Sequence, residues 1–423
     1  MELRINPNPP LVMHVDLNSC FATVCQQAFI HLRSKPLVIA AYATNSGCVV
    51  SPSIEAKRLG IKVGMTVRDA KLIFPQVLVR TPDPPLVRDV HMKLKHIFAD
   101  YTPSVTPKSI DEAVLDFANM EKVLKTPLTQ IGIQIKSRLR AEIGEWISCS
   151  IGIGTNRFLA KTAAGLKKPD GLDVIDSKNL SEILEKLELT DLPGINTRFQ
   201  ARLNLVGIRT PLDFLRAPLF VLQKQVFQSI VGYHWYLRLR GYELDDVEYG
   251  RKSFGHEYSL AKKTTNEASL HALLMKLSEK TGRRLRGQGF VGGGVHLAIV
   301  WIDGTFWHQA KKSHLPLFST QEIFRHALLI FNSRPYTQKK VSRLSVSCYD
   351  LSKSDRSQLS LFDSSDAEKK VAIALDKIND KWGEFTVTSA LMLGTDDEVI
   401  DRISFGGVKD LVDLYTKSHD ISP

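Results

Sequence analysis

Ser109-Ile110-Asp111-Glu112-Ala113-Val114-Leu115 sets two adjacent carboxylates directly before an apolar, β-branched run, and Leu11-Val12-Met13-His14-Val15-Asp16 ends a second such run on a third carboxylate. Runs of this length and composition read as buried strands. Further short strands are expected at Leu37-Val38-Ile39-Ala40 and Cys48-Val49-Val50. Val87 to Ala99 and Leu128 to Ile143 carry apolar residues at spacings of three and four, which suits helices packed on a sheet. The first 175 residues therefore read as an α+β or α/β domain whose acidic residues fall at strand ends. If adjacent strands bring Asp16, Asp111 and Glu112 together, the three carboxylates suit two Mg²⁺ ions, hard cations that take oxygen ligands and keep positions for phosphate and water. Taken singly, an acidic residue at a strand end is an ordinary solvated turn, so the weight falls on the order of the residues around it.

Beyond this region the apolar spacing from Ser177 to Gly241 becomes helical, interrupted by the tight-turn signature Leu192-Pro193-Gly194-Ile195. Gly241 to Gly250 is short, acidic and glycine-bounded, and reads as a linker. From Arg251 a strand (253–258), a helix (268–286), a strand (295–301), room for one further strand, a helix (320–331) and a strand (341–348) suggest a compact sheet with helices on one face, which leaves the other face open. With 423 residues, 43% hydrophobic and 24% charged, the chain is globular and long enough for several domains, and collagen-like, mucin-like and wholly disordered readings are excluded. Its net charge of +11 is unevenly spread. Residues 251–350 hold sixteen Lys+Arg against six Asp+Glu, whereas residues 351–423 hold nine against fourteen. That basic block points to a polyanionic partner, with the Lys/Arg excess expected to coat the open sheet face. The five cysteines are scattered without a C-x-x-C spacing, so neither a disulfide framework nor a cysteine zinc site is expected. The N-terminus lacks the pattern of a signal peptide and no apolar run is long enough to span a bilayer, so the expectation is a soluble protein of the cytoplasm. In the acidic tail, Val371, Leu375, Ile378 and Trp382 recur at helical spacing, an amphipathic stretch expected to fold and dock on the protein itself.

Val15-Asp16-Leu17-Asn18-Ser19-Cys20-Phe21-Ala22, Glu55-Ala56-Lys57-Arg58-Leu59-Gly60-Ile61, Ser109-Ile110-Asp111-Glu112-Ala113, and Ser150-Ile151-Gly152-Ile153-Gly154-Thr155-Asn156 with Ala160-Lys161 and Lys168-Pro169-Asp170-Gly171 follow one another along the chain. In this order they resemble the Y-family translesion DNA polymerases, nearest to the bacterial polymerase IV and V branch. The resemblance covers residues 11–350. It implies an α+β multidomain, right-hand fold: a palm (1–19 and 83–175), small fingers (20–82), a helical thumb with a helix-hairpin-helix (176–241), a linker (242–250), an α/β little finger (251–350) and a tail (351–423). It implies a DNA-directed DNA polymerase of damage-bypass type, with low fidelity and no proofreading. Asp16 and Asp111 would bridge two Mg²⁺ ions, Glu112 would complete the site for the ion that activates the primer 3′-hydroxyl, and the Leu17 carbonyl would ligate the nucleotide-bound ion. Phe21 matches the steric gate that leaves no room for a 2′-hydroxyl. Lys57 and Lys168, with Ser19 and Cys20, would hold the incoming deoxynucleoside triphosphate, and Cys48, Val50 and Gly64 match the roof over the templating pair. The chain departs from the family's common residues at Ile54 and Lys57, where Tyr and Arg are usual, and at Ser19, where an aromatic residue is frequent.

The same resemblance assigns Gly194 to the thumb's grip on primer-template DNA through backbone N–H groups. In the little finger Lys252, Arg283, Arg284, Arg286, Lys311, Lys312, Lys339, Lys340 and Arg343 are candidate phosphate contacts as a group. Gln358-Leu359-Ser360-Leu361-Phe362 resembles the bacterial sliding-clamp-binding peptide, in which Gln358, Leu359, Leu361 and Phe362 would engage the clamp, and the chain is expected to be a monomer. The alternative is a catalytically weak or inactive accessory protein that binds DNA and the clamp. Retention of all three carboxylates weighs against it, and the changes at Ile54 and Lys57 are its only support. A cyclase or other nucleotidyltransferase with a similar two-metal site would leave the hairpin, the basic block and the clamp-like peptide unexplained.

Overall fold

β1 (Val12–Leu17) is the middle strand of a five-stranded sheet, and its neighbours place the candidate carboxylates. The structure, a computed structural model, describes residues 4–122, 124–247, 250–354, 365–396 and 398–399. The described residues up to 247 form one unit and those from 250 a second.

In the first unit β1 is followed by α1 (Cys20–Ala28), β2 (Leu37–Ala40), β3 (Val49–Pro52), α2 (Ile54–Arg58), α3 (Val67–Ile73), β4 (Leu78–Arg80) and α4 (Pro84–Ala99). Then come β5 (Val105–Pro107), β6 (Glu112–Asp116), α5 (Leu128–Arg138), β7 (Cys149–Gly154), α6 (Arg157–Leu166) and β8 (Leu172–Ile175). The large sheet has the order β5-β6-β1-β7-β8, and only its β7–β8 pair is parallel. A separate three-stranded sheet, β3-β2-β4, carries α2 and α3. Helix starts follow local chemistry legible in the sequence. Thr66 and Asp69 form a reciprocal capping box at α3, and Asp83 caps α4 just before Pro84, whose missing N–H costs nothing at a first helical position.

β7 shows how sequence sets the layers. Ile151 faces α5, where a Cβ on Gly132 would touch it, whereas Gly152 and Gly154 face α6. A Cβ on Gly152 would sit 2.0 Å from the Ala160 carbonyl oxygen. The glycines thus let α6 lie almost directly on the sheet, with Ala160 against Val12 of β1 and Val114 of β6.

α7 (Leu180–Glu185), α8 (Thr197–Leu205), α9 (Pro211–Arg216) and α10 (Val231–Leu239) complete this unit around a core in which Trp235 meets Phe158 edge-on at 5.4 Å. Asn156 joins this core to the sheet. Its Oδ1 accepts from Leu159 N–H at 2.8 Å to cap α6, while its Nδ2 donates to the Arg238 and Tyr242 carbonyls at 3.0 and 2.8 Å. The acidic stretch after α10 is tied down: Arg238 pairs with Asp245, and Arg157 with Glu243 at 3.1 Å.

The second unit runs β9 (Ser253–Thr264), α11 (Glu267–Gly287), β10 (Phe290–Trp301), β11 (Phe306–Leu317), α12 (Thr320–Asn332), β12 (Val341–Lys353) and α13 (Ser365–Trp382). Its antiparallel sheet has the order β11-β10-β12-β9, with α11 and α12 over a core that includes Trp301, Phe331 and Leu344. β11 is almost wholly exposed along its length. As an edge strand it lacks the apolar alternation that marks β10, which explains its faint trace in the sequence. The tail helix α13 docks with a face other than the expected one. Ala372 and Asn379 are its buried residues and Asp376 and Asp380 reach α11, whereas Val371, Ile378 and Trp382 are exposed. Basic residues on α11 make ion pairing decide the docked face.

Candidate active site

β1 and β6 run antiparallel with Asp16 directly opposite Glu112, and the Leu17 N–H donates to the Asp111 carbonyl at 3.0 Å. Two strand ends, far apart in sequence, thereby bring the three acids to one edge of the sheet. Each has a different electrostatic setting. Asp16 pairs with Lys168 at 2.8 Å. Burial would raise the Glu112 pKa, but the influence of His14, whose Nε2 lies 3.5 Å away, and of Lys161, whose ammonium sits 2.6 Å from its Oε2, overcomes it and holds the carboxyl down at about 2. Among the described residues Asp111 has no cation of this kind. Burial, followed by the neighbouring Asp16 and Glu112, pushes it up to about 6, against the opposing hydrogen bond that Ser109 Oγ donates at 2.5 Å.

Asp16 and Asp111 border a cleft of about 500 Å³, with Glu112 beside it across the β1–β6 pair. Leu17, Ser19, Cys20, Phe21, Lys57 and Lys168 all line it, so the structure brings the expected metal-binding and nucleotide-binding residues into one place. Phe21 is 2% exposed in the first turn of α1 and closes one wall. Ser19 holds a left-handed conformation with φ 52°, and its buried Oγ has no hydrogen-bond partner among the described residues. Burial, then the neighbouring Asp111 and Asp16, raises the Cys20 thiol well above its ordinary pKa, so it stays protonated. Lys57 lies at the end of α2, where burial and then Lys168 lower its pKa, with Asp16 opposing. Ile54 lines the same cleft and offers no donor.

Of the expected roof residues, Val50 lines the cleft, whereas Cys48 is exposed and bridges to Thr66. Gly64 makes a turn at φ +91°, which its missing Cβ permits, and its neighbour Val63 lines the cleft. Sequence reading assigned no role to four residues that the geometry brings forward: His14 beneath Glu112, Ser109 on Asp111, Lys161 on Glu112 and Arg58 in the cleft. Lys161 was visible only as part of a run. Nothing in one dimension says that α6 lies close enough to the sheet for its side chain to reach a strand end.

A divalent cation fits this donor set. The Asp16 and Glu112 carboxylates are hard oxygen donors, with ligand atoms within 4.8 Å of one another and of a nitrogen of the buried His14 ring.

Gly194 occupies the turn before α8 at φ +95°, 3.4 Å by its notional Cβ from the Trp235 ring. In the second unit the open sheet face is not coated by cations. Strand alternation puts only Lys312 and Arg343 of the nine candidates there, each facing a carboxylate, Asp350 at 3.6 Å and Glu257 at 3.3 Å. Gly255, Ala298, Ala310, Ser345 and Ser347 are small, neutral positions of that face, and Val300, Phe306, Tyr349 and the touching His296 and His308 rings are its larger side chains. Arg283 and Arg286 belong to α11 and are engaged by Asp376, Asp380 and Glu384; Arg286 holds Asp376 through two hydrogen bonds at 2.6 and 2.8 Å. Arg284 donates to the Gly255 carbonyl, and Lys339 pairs with Asp303 at 2.7 Å. Lys252, Lys311 and Lys340 are exposed. Gln358, Leu359, Leu361 and Phe362 lie outside the described residues. Among the described residues no helix is long and apolar enough to cross a membrane.

Residues 15–165 match the impB/mucB/samB family and residues 251–361 match its C-terminal domain. A DNA polymerase IV of Pelotomaculum thermopropionicum is 31% identical over 387 residues, covering 90% of this chain and 95% of the relative. A DNA polymerase IV of Moorella thermoacetica is 31% identical over 390 residues, with 90% and 96% covered. Among solved structures, a Y-family DNA polymerase chimera of Dbh and Dpo4 superposes with a TM-score of 0.69 at 24% identity, covering 80% of this chain and 98% of that one. An insertion ternary complex of Dbh DNA polymerase superposes at 0.56 and 22% identity, with the same coverage.

Proposed function

The chain belongs to the impB/mucB/samB family of Y-family DNA polymerases, and from that premise we propose that the cleft beside Asp16, Asp111 and Glu112 performs template-directed, damage-bypass DNA synthesis by two-metal phosphoryl transfer. The observation that carries this reading is the register itself: Asp16 opposite Glu112, with Asp111 held by the Leu17 N–H, beside a cleft that also contains Phe21 and basic side chains. The coverage of the curated relatives along nearly their whole length supports an enzyme over the inactive accessory protein.

Polymerases of this family use divalent metal ions. Two Mg²⁺ ions held by the three carboxylates and the Leu17 carbonyl would supply Lewis-acid stabilisation of the primer 3′-oxygen and of the leaving pyrophosphate. The protein's own groups hold and align. Lys57, Arg58 and Lys168 line the cleft as positive charges for a triphosphate, and Arg58 supplies the planar fork that Lys57 lacks. Phe21 fills the space a ribose 2′-hydroxyl would need. Lys168 and Lys161 keep Asp16 and Glu112 neutralised until the substrate arrives.

In this reading the five-stranded sheet is the palm, β2 to β4 with α2 and α3 the fingers, α7 to α10 the thumb and the second unit the little finger. Residues 358–362 tether the enzyme to a sliding clamp, raising its local concentration at DNA. The enzyme acts as a monomer in the cytoplasm, in keeping with a DNA substrate and five free cysteines. Primer extension on an undamaged template tests the core claim. Activity with the native chain, lost at least a hundred-fold in Asp111→Asn and Glu112→Gln on the scale set by losing a preorganised electrostatic group, is the expected result; comparable extension by either variant would refute it.

A further inference from the structure

His14 lies in the middle of β1, opposite Val114 on one side and Gly152 on the other. It is 1% exposed and roofed by α6, whose Ala160 packs on Val12 and Val114. Neither ring nitrogen makes a hydrogen bond within ordinary limits to a described residue. The ring's ionic contact is Nε2 at 3.5 Å from Glu112 Oε2, the same oxygen that Lys161 holds at 2.6 Å. An aliphatic residue would pack as well at this position without stranding a buried polar atom, so an imidazole here needs a reason beyond packing.

We propose that His14 is a positioning residue for Glu112, holding the carboxylate beside Asp16 at cation-binding spacing once Lys161 releases it. The proposal rests on the two-metal reading of the site. Lys161 and His14 contact the same oxygen but do different work. The ammonium of Lys161 is an obligate positive charge on a flexible, partly exposed stem, and it competes with any cation for Glu112. An imidazole can donate an N–H as a neutral ring, so it need not repel the cation. The ring is also confined by β6, β7 and α6, and a confined donor restricts rotation of the carboxylate. Hydrogen-bond partners one layer behind metal ligands commonly set affinity in this way. The contact is long while Lys161 occupies the oxygen, as such contacts often are before substrate binds.

The test uses the full chain without DNA or nucleotide. Binding of Mn²⁺ is followed by electron paramagnetic resonance, and Mg²⁺ by competition, for the native protein, His14→Leu, His14→Gln, His14→Asn and Glu112→Gln, with thermal melts alongside. His14→Leu is expected to weaken both cations about ten-fold. His14→Gln, whose amide reaches the Nε2 position, should recover most of that loss, and His14→Asn, whose amide is shorter, should not. The same order is expected in kcat, with KM for the nucleotide little changed. If His14→Leu fails to fold, the Gln and Asn variants decide the matter. Native affinity in a folded Leu or Asn variant would overturn the proposal. So would weakened Mn²⁺ binding with unchanged Mg²⁺ competition, because that pattern marks a direct nitrogen ligand. Unchanged metal binding in Glu112→Gln would instead refute the underlying reading of the site.

Discussion

Asp111 and Glu112 are chain neighbours with opposite environments, and the difference has a measurable sign. The folded pKa of Asp111, about 6, lies above its ordinary value of 3.8, so the folded chain binds that proton more tightly than the unfolded chain does. Ionising Asp111 therefore costs metal-free stability as pH rises from 3.8 to about 6, and the cost is complete above that. Asp111→Asn is expected to stabilise the metal-free protein at pH 7.5 by roughly 1–3 kcal/mol, a gain that vanishes below about pH 4. Glu112 behaves inversely. Its folded pKa of about 2 lies below 4.5, so its contribution is present above pH 4.5 and lost as pH falls through about 2. Glu112→Gln should lower the melting temperature at neutral pH, and thermal melts of both variants across pH check the two signs together. At Phe21, replacement by Ala opens the wall of the cleft and should raise ribonucleotide incorporation by at least about ten-fold, the worth of a steric clash near 1.4 kcal/mol. Single-nucleotide insertion with matched ribo- and deoxynucleotides measures it, and unchanged sugar selectivity would remove Phe21 from the gate.

At the scale of elements, the alternation of Ile and Gly in β7 decides how closely α6 approaches, and that approach delivers Lys161 to Glu112. Gly152→Ala adds a methyl group 2.0 Å from a backbone oxygen, which must push α6 outward. A loss of about 2–3 kcal/mol by urea unfolding is expected, with polymerase activity falling more than stability alone explains. The tail helix offers a second case. Arg286 has a side chain 4% exposed and paired with Asp376. Asp376→Ala leaves that charge buried and unmatched, at a cost of roughly 3 kcal/mol, whereas Val371→Ala on the exposed face of α13 should be nearly neutral; equal effects would contradict the observed docking face. These elements also show what sequence periodicity captures. The helix at 371–382 was legible from its apolar spacing, but its docked face was not, because the ion pairs that choose it involve α11, about ninety residues earlier.

For the whole molecule, the net charge of +11 overstates what is available to DNA. Several cations of the 251–350 block are occupied by the acidic tail or by neighbouring carboxylates, and Lys252, Lys311 and Lys340 remain exposed. The two cations of the open sheet face are paired with carboxylates, so the charge available to a phosphate backbone lies at its margins. Replacing Lys252, Lys311 and Lys340 by Ala should weaken primer-template binding and flatten its salt dependence by up to about 0.9 per lost phosphate contact. Fluorescence anisotropy across ionic strength measures the slope, and an unchanged slope would direct attention to the thumb.

Sequence alone determined the strand-end carboxylates, the helix starts, the order of the motifs and thereby the family, because each depends on residues adjacent or regularly spaced along the chain. Tertiary structure alone decided which cation meets which carboxylate, why Asp111 and Glu112 titrate apart, that His14 lies buried behind the site, and where the basic block is spent. Those outcomes depend on distances between segments brought together by sheet register and helix packing, and electrostatic energies change with every ångström of that separation and with burial from water.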